Sequence, residues 1–230
     1  EGGRPDTLDR EKLTTLKSHG VTRLSINPQT MHEPTLEAIG RRHTVSDIVR
    51  AFSLAREIHF PVVNMDLIIG LPGENKEILQ KTLHNVIAMA PENITLHALA
   101  IKRAAVYGRE HVALPGQAEG EKMMDLAQEV LGEAGYIPYY LYRQKQILAH
   151  GENVGYTRSG HPCIYNIGMM EERQVIMGCG VGAGSKIVNP EDWSVDNFYN
   201  PKDLLLYLRR LEEINKRKVD KLRAFVYNSK

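Results

Sequence analysis

Met65-Asp66-Leu67-Ile68-Ile69, the centre of the run from Val62 to Leu71, is apolar on both sides of an extended chain except for one acid. A strand buried inside a parallel sheet reads this way, because helices cover both of its faces. Gly70 and Pro72 end the run with residues that break a strand. Thr44, with Asp47 three positions later, forms a capping box ahead of Ile48, Val49, Phe52, Ala55 and Ile58, which recur at helical spacing. Val21 to Ile26 reads as an earlier strand, preceded by a helix from Asp9 to His19 that Gly20 stops. Downstream, Ile78, Leu79, Thr82, Leu83, Val86 and Ile87 align on one helix, and Ile94 to Ile101 reads as the next strand.

Strand, helix and strand at this spacing require right-handed parallel crossovers, hence an α/β barrel or doubly wound sheet. Ligands in such folds sit at the carboxyl ends of the strands. The polar residues there are Asn27, Gln29, Asp66, Lys102 and Arg103. After about Tyr107 the pattern changes. A long amphipathic helix is expected from Gln117 to Ala134, then an aromatic strand from Tyr136 to Arg143 and a polar stretch to Pro162. Gln174 to Met177 reads as a further strand, and the tail from Pro201 as helix. Two domains are therefore expected, 1–107 and 108–230.

The bulk numbers exclude several classes. Net charge is +1 and 42% of the residues are hydrophobic, so no global field favours nucleic acid or an anionic membrane. No apolar run approaches the roughly 20 residues that span a bilayer. Cys163 and Cys179 are the two cysteines, which fits a reducing, cytoplasmic setting and matches no zinc or iron–sulfur spacing. The nine His residues are scattered, so a metal site built from this chain is not expected.

Gly178, Gly180 and Gly182 superficially fit a dinucleotide loop, but that motif needs a helix directly after it. Ser185-Lys186-Ile187-Val188-Asn189-Pro190 is no helix start, so close backbone packing against a strand or ligand is the favoured reading. A carboxylate in an apolar strand costs several kcal/mol unless it is paired. Asp66 therefore has two readings, an internal hydrogen bond or a carboxylate that accepts ribose hydroxyls. Arg41 is either a surface arginine or a bidentate grip on a carboxylate. Tyr139, Tyr140 and Tyr142 are either packing residues or a stacking wall.

Arg23-Leu24-Ser25-Ile26-Asn27-Pro28-Gln29, then Gly40-Arg41-Arg42-His43, then Asp66-Leu67-Ile68-Ile69-Gly70-Leu71-Pro72-Gly73 occur in order. With Leu99 to Ala104, Tyr139 to Gln144, Tyr165 to Glu172 and the loop from Gly178 to Ser185, this set resembles the radical S-adenosylmethionine (SAM) oxygen-independent coproporphyrinogen III oxidases. Within that family the coproporphyrinogen dehydrogenase branch is most similar. The resemblance implies the later part of a partial (β/α)6 TIM-like barrel with an α+β cap. It implies SAM contacts at Glu1, Gln29, Arg41, Asp66, Ala100 and, through backbone, Gly184. It also implies a [4Fe-4S] cluster in the parent protein, whose Cys-x-x-x-Cys-x-x-Cys loop is absent from this chain, so the chain reads as a C-terminal portion that is inactive alone.

The implied reaction is oxidative decarboxylation of coproporphyrinogen III to protoporphyrinogen IX in haem biosynthesis. The electron donor is unknown, and the catalytic residues are not assigned. A tetrapyrrole with four carboxylates calls for basic groups, and Lys102, Arg103 and Arg143 are the candidates. A haem-binding or haem-delivery protein of the same superfamily is the alternative. A stand-alone nucleotide-binding module is a third reading.

Overall fold

The computed structural model describes residues 3–99, 114–142 and 152–227. The chain forms two compact units, 1–162 and 163–230. In the first, α1 (Arg10–Ser18) is capped by Asp9, whose carboxylate accepts from the Lys12 amide at 2.7 Å. The order continues β1 (Arg23–Gln29), α2 (Glu33–Ala38), α3 (Val45–Glu57), β2 (Val62–Ile69), α4 (Lys76–Met89) and β3 (Asn93–Ala98). The capping box expected at Thr44 and Asp47 opens α3. β1, β2 and β3 pair in parallel. This is the α/β crossover pattern that the alternation implied.

Beyond α5 (Gln117–Glu133), the strands β4 (Ile137–Tyr142) and β5 (Asn153–Thr157) extend the same sheet, in the order β1-β2-β3-β5-β4 with β5 antiparallel to both neighbours. Gly3 adds a parallel bridge to Ile26 on β1. The described sheet is open. Strands β4 and β5 thus belong to the compact unit 1–162.

Two local expectations change. β2 alternates instead of being buried on both faces: Val63, Met65, Leu67 and Ile69 are wholly buried, whereas Asn64, Asp66 and Ile68 are partly open. The reason is one-sided cover. Residues of α3, α4 and α5 pack with the apolar face in one core that includes Ile48, Phe52, Leu83, Val86, Met123 and Leu131. Burying each such side chain contributes roughly 1.5–3 kcal/mol. β5 is also new, since its Asn153-Val154-Gly155-Tyr156-Thr157 lies in a stretch read only as polar.

The second unit holds α6 (Ile164–Glu171), the hairpin β6 (Gly184–Val188) and β7 (Val195–Tyr199), then α7 (Leu204–Arg209) and α8 (Leu211–Tyr227). The strand expected at Gln174 to Met177 is reduced to an isolated bridge between Ile176 and Lys186. The glycine loop runs into strand β6, not a helix, as expected. Gly178 packs so closely on β6 that a Cβ there would lie 2.2 Å from the Gly184 carbonyl oxygen. Asn200 Nδ2 donates to the Gly180 carbonyl at 2.6 Å, and Lys218 Nζ to that of Gly178 at 2.5 Å. No helix among the described residues is long and apolar enough to cross a membrane.

Candidate functional site

The face of the sheet opposite the helices carries polar side chains in register. Ser25 pairs with Asn64 and Asn64 with Asn93; Asp66 pairs with Thr95, and Ile68 with His97. These residues are joined side by side. Ser25 Oγ donates to Asn27 Oδ1 at 2.8 Å, and Asn64 Nδ2 donates to Ser25 Oγ at 2.9 Å and to Asp66 Oδ1 at 2.7 Å. Thr95 Oγ1 donates to Asn64 Oδ1 at 3.0 Å. His97 Nε2 lies 4.0 Å from Asp66 Oδ1. Asp66 is therefore both internally bonded and open on one side, with 16% of its side chain exposed. Hydrogen bonds to a charged group contribute roughly 1.5–3 kcal/mol, enough to hold this carboxylate in a fixed orientation.

Tyr140 lies over the same face. Its ring crosses Gly155, where a Cβ would sit 1.9 Å from Tyr140 Cε1, and meets Tyr139 edge-on at 4.9 Å between centroids. Burial pushes the Tyr140 hydroxyl well above the ordinary phenol range, with the neighbouring Tyr139 and the Asp66 charge adding to the effect. Tyr140 is thus an aromatic wall beside Asp66.

Gln29 ends β1 in an unusual conformation. β1 has one extra residue there, because Ile26 pairs with Met65 and Gln29 with Leu67. Pro28, which has no amide hydrogen for the ladder, sits in that bulge. Gln29 takes the left-handed conformation at φ 72°, which costs a non-glycine residue about 1–3 kcal/mol. It is 7% exposed, and its side-chain amide makes no hydrogen bond among the described residues. Its Cα partner Leu67 directly follows Asp66, so Gln29 and Asp66 come from neighbouring strands one register step apart.

Arg41 follows α2 and is partly buried, with no hydrogen bond or ion pair for its guanidinium among the described residues. Two residues on, His43 is buried with Nε2 3.2 Å from the Pro28 carbonyl oxygen, which ties the Arg41 segment to the end of β1. Burial holds His43 below the ordinary imidazole range, and Arg41 lowers it further.

Of the other predicted positions, Glu1, Ala100, Lys102, Arg103 and Arg143 lie outside the described residues. Gly184 opens β6 in the second unit. Sequence reasoning missed Asn64, Thr95 and His97. The signal was present, since Asn64 and Asp66, like Thr95 and His97, are two apart and share a strand face. No group of three or more His, Cys, Asp or Glu side chains that could hold a metal ion occurs among the described residues.

Residues 2–86, which contain Gln29, Arg41 and Asp66, match the family model of the radical SAM superfamily. The chain is 43% identical over 95% of its length to the oxygen-independent coproporphyrinogen-III oxidase-like protein HemZ of Bacillus subtilis, covering 44% of that protein. It is 30% identical to the heme chaperone HemW of the same organism, over 80% of the chain and 48% of that protein. Among solved structures, coproporphyrinogen III oxidase HemN of Escherichia coli superposes with a TM-score of 0.68 at 20% identity, over 91% of the chain and 48% of that structure. The chain spans about half the length of the curated relatives it matches. With the superfamily model matching residues 2–86 and a relative aligned along 95% of its length, the chain belongs to the radical SAM superfamily, and its relatives there include the coproporphyrinogen-III oxidase-like protein HemZ and the heme chaperone HemW.

Proposed function

We propose that this chain carries the SAM-binding strand ends of a radical SAM oxidoreductase that decarboxylates the propionates of coproporphyrinogen III to give protoporphyrinogen IX. The supporting observation is Gln29, a 7%-exposed residue at the end of β1 whose side chain makes no hydrogen bond among the described residues, held in a strained turn one register step from Asp66 on the neighbouring strand. The residues present fit an amino-acid nucleoside. Asp66 is an oriented acceptor for ribose hydroxyls, Gln29 offers both a donor and an acceptor, and Arg41 is a guanidinium with no ion pair among the described residues.

SAM supplies hydrogen-atom abstraction in such enzymes when it is reduced at an iron–sulfur cluster. The chain's two cysteines do not fit a cluster that needs three thiolates. Its ligands are therefore assigned to sequence outside this chain, and the chain alone is assigned binding without turnover. What its own residues do is bind and orient. Tyr140 walls the Asp66 side of the sheet, and burial keeps its hydroxyl protonated. Lys102, Arg103 and Arg143 are proposed to meet the carboxylates of the tetrapyrrole, and a cytoplasmic location is proposed with them.

A haem-delivery role is the second reading, and the 30% identity to HemW favours keeping it. Two titrations decide. S-adenosylhomocysteine should bind the chain in a calorimeter, and Asp66→Ala or Arg41→Ala should each weaken it about tenfold, the loss of one charge-assisted bond. Unchanged affinity in both would remove them from the site. A stable Soret shift on haem titration, with no turnover of coproporphyrinogen by the cluster-bearing protein, would select delivery.

A further inference from the structure

Beneath Gln29 the loops that leave β1 and β2 are joined through one buried carboxyl. Glu74, 6% exposed, sits between the Gly70-to-Gly73 turn and α4. Its Oε1 accepts from Thr30 Oγ1 at 2.5 Å. Thr30 Oγ1 is in turn 3.3 Å from Thr82 Oγ1 on α4 and accepts from the His32 amide at 3.2 Å; Thr82 Oγ1 accepts from the Met31 amide at 3.2 Å. The donors have one consistent direction, from the Met31 amide through Thr82 and Thr30 to Glu74. Such a chain strengthens each of its bonds. Thr30, its central member, is 1% exposed and directly follows the strained Gln29.

We infer that Glu74 is a positioning residue: by accepting from Thr30 it locks the segment 30–32 and so holds Gln29 in the left-handed turn that presents its amide to SAM. The inference rests on the reading of Gln29 as a SAM contact. A strained non-glycine turn persists only where its surroundings over-determine it. A buried carboxyl that ties the loops after β1 and β2 together is such a constraint. Glu74 has no direct part in binding.

The test uses the 230-residue chain with S-adenosylhomocysteine as probe, and reads two quantities. Amide exchange at Met31 and His32 reports the turn. Calorimetry reports affinity. Glu74→Gln should speed exchange at both amides about tenfold, leave Leu96 in β3 protected, and weaken the probe about tenfold, the amide oxygen being a weaker acceptor than the carboxylate it replaces. Thr30→Val tests the same bond from the donor side should Glu74→Gln fail to fold, and Thr30→Ser should restore both readouts. Leu79→Ala, a core change on the same helix, should raise exchange at Leu96 without a selective rise at Met31 and His32, and leave affinity unchanged. Unaltered exchange at Met31 and His32 in Glu74→Gln and Thr30→Val overturns the inference, as does faster exchange with undiminished affinity. If the unsubstituted chain binds no probe, the SAM reading fails and takes the ligand half of the inference with it. The exchange rates still decide separately whether Glu74 holds the turn.

Discussion

Replacing Gly155 by Ala should expel the Tyr140 ring from the sheet face. An added Cβ would stand 1.9, 2.4 and 2.9 Å from Tyr140 Cε1, Cδ1 and Cζ, distances that no side chain tolerates, so the ring must swing away. Its retreat is restricted, because Tyr139 packs edge-on against it and Thr95 bonds to its hydroxyl. Overpacking of this kind costs about 1–3 kcal/mol. For a chain of this size that is a fall in Tm of roughly 3–9 °C. Thermal denaturation gives the magnitude, and near-ultraviolet circular dichroism reports the Tyr140 environment. The decisive form is a double-mutant cycle. In a Tyr140→Ala background the obstruction is gone, so Gly155→Ala should become nearly neutral, with a coupling of about 1 kcal/mol or more. Equal destabilisation by Gly155→Ala in both backgrounds would refute the placement of Tyr140 over β5 and, with it, the aromatic wall beside Asp66.

His43 should make the fold acid-sensitive. Its Nδ1 is buried without a hydrogen bond and lies 3.9 Å from Asp6 Oδ1, and burial holds the ring below its ordinary pKa. Below about pH 6.5 the unfolded chain binds a proton that the folded chain resists, so stability falls as pH drops through that value. Urea midpoints from pH 8 to 5 should show this slope, and His43→Gln should flatten it; an identical slope in the variant would contradict the assignment. Gly178→Ala sets a Cβ against a backbone oxygen of β6, which cannot swing aside as a side chain can. Limited proteolysis should then cut residues 178–200 faster, and unchanged cleavage would show that the loop packs elsewhere.

The crossover pattern was legible because it rests on periodicity, and the helix starts at Asp9 and Thr44 because capping residues carry their own signature. The one-sided sheet was harder to read. Met65 to Ile69 looks apolar on both faces only because Ile68 occupies the polar face alongside Asn64 and Asp66; counting Asn64 into the run would have shown the alternation. β5 was hidden by its own composition, since Asn153 and Gly155 are poor strand formers in isolation and are recruited by pairing with β3 and β4. At the site, Gln29 and Asp66 could be named from motif order, but the strain at Gln29 could not. A left-handed glutamine depends on contacts from Thr30, Glu74 and Thr82, which are 44 and 52 residues apart in the bonds that matter.

Gln29, Arg41 and Asp66 are proposed to form one nucleoside site near the ends of parallel strands. A crystal structure of the chain with S-adenosylhomocysteine tests it most directly. The ribose hydroxyls should lie on the Asp66 carboxylate and a polar group of the ligand on the Gln29 amide, with the left-handed turn retained. A ligand bound away from β1 and β2, with both side chains as they are in its absence, would contradict the proposal.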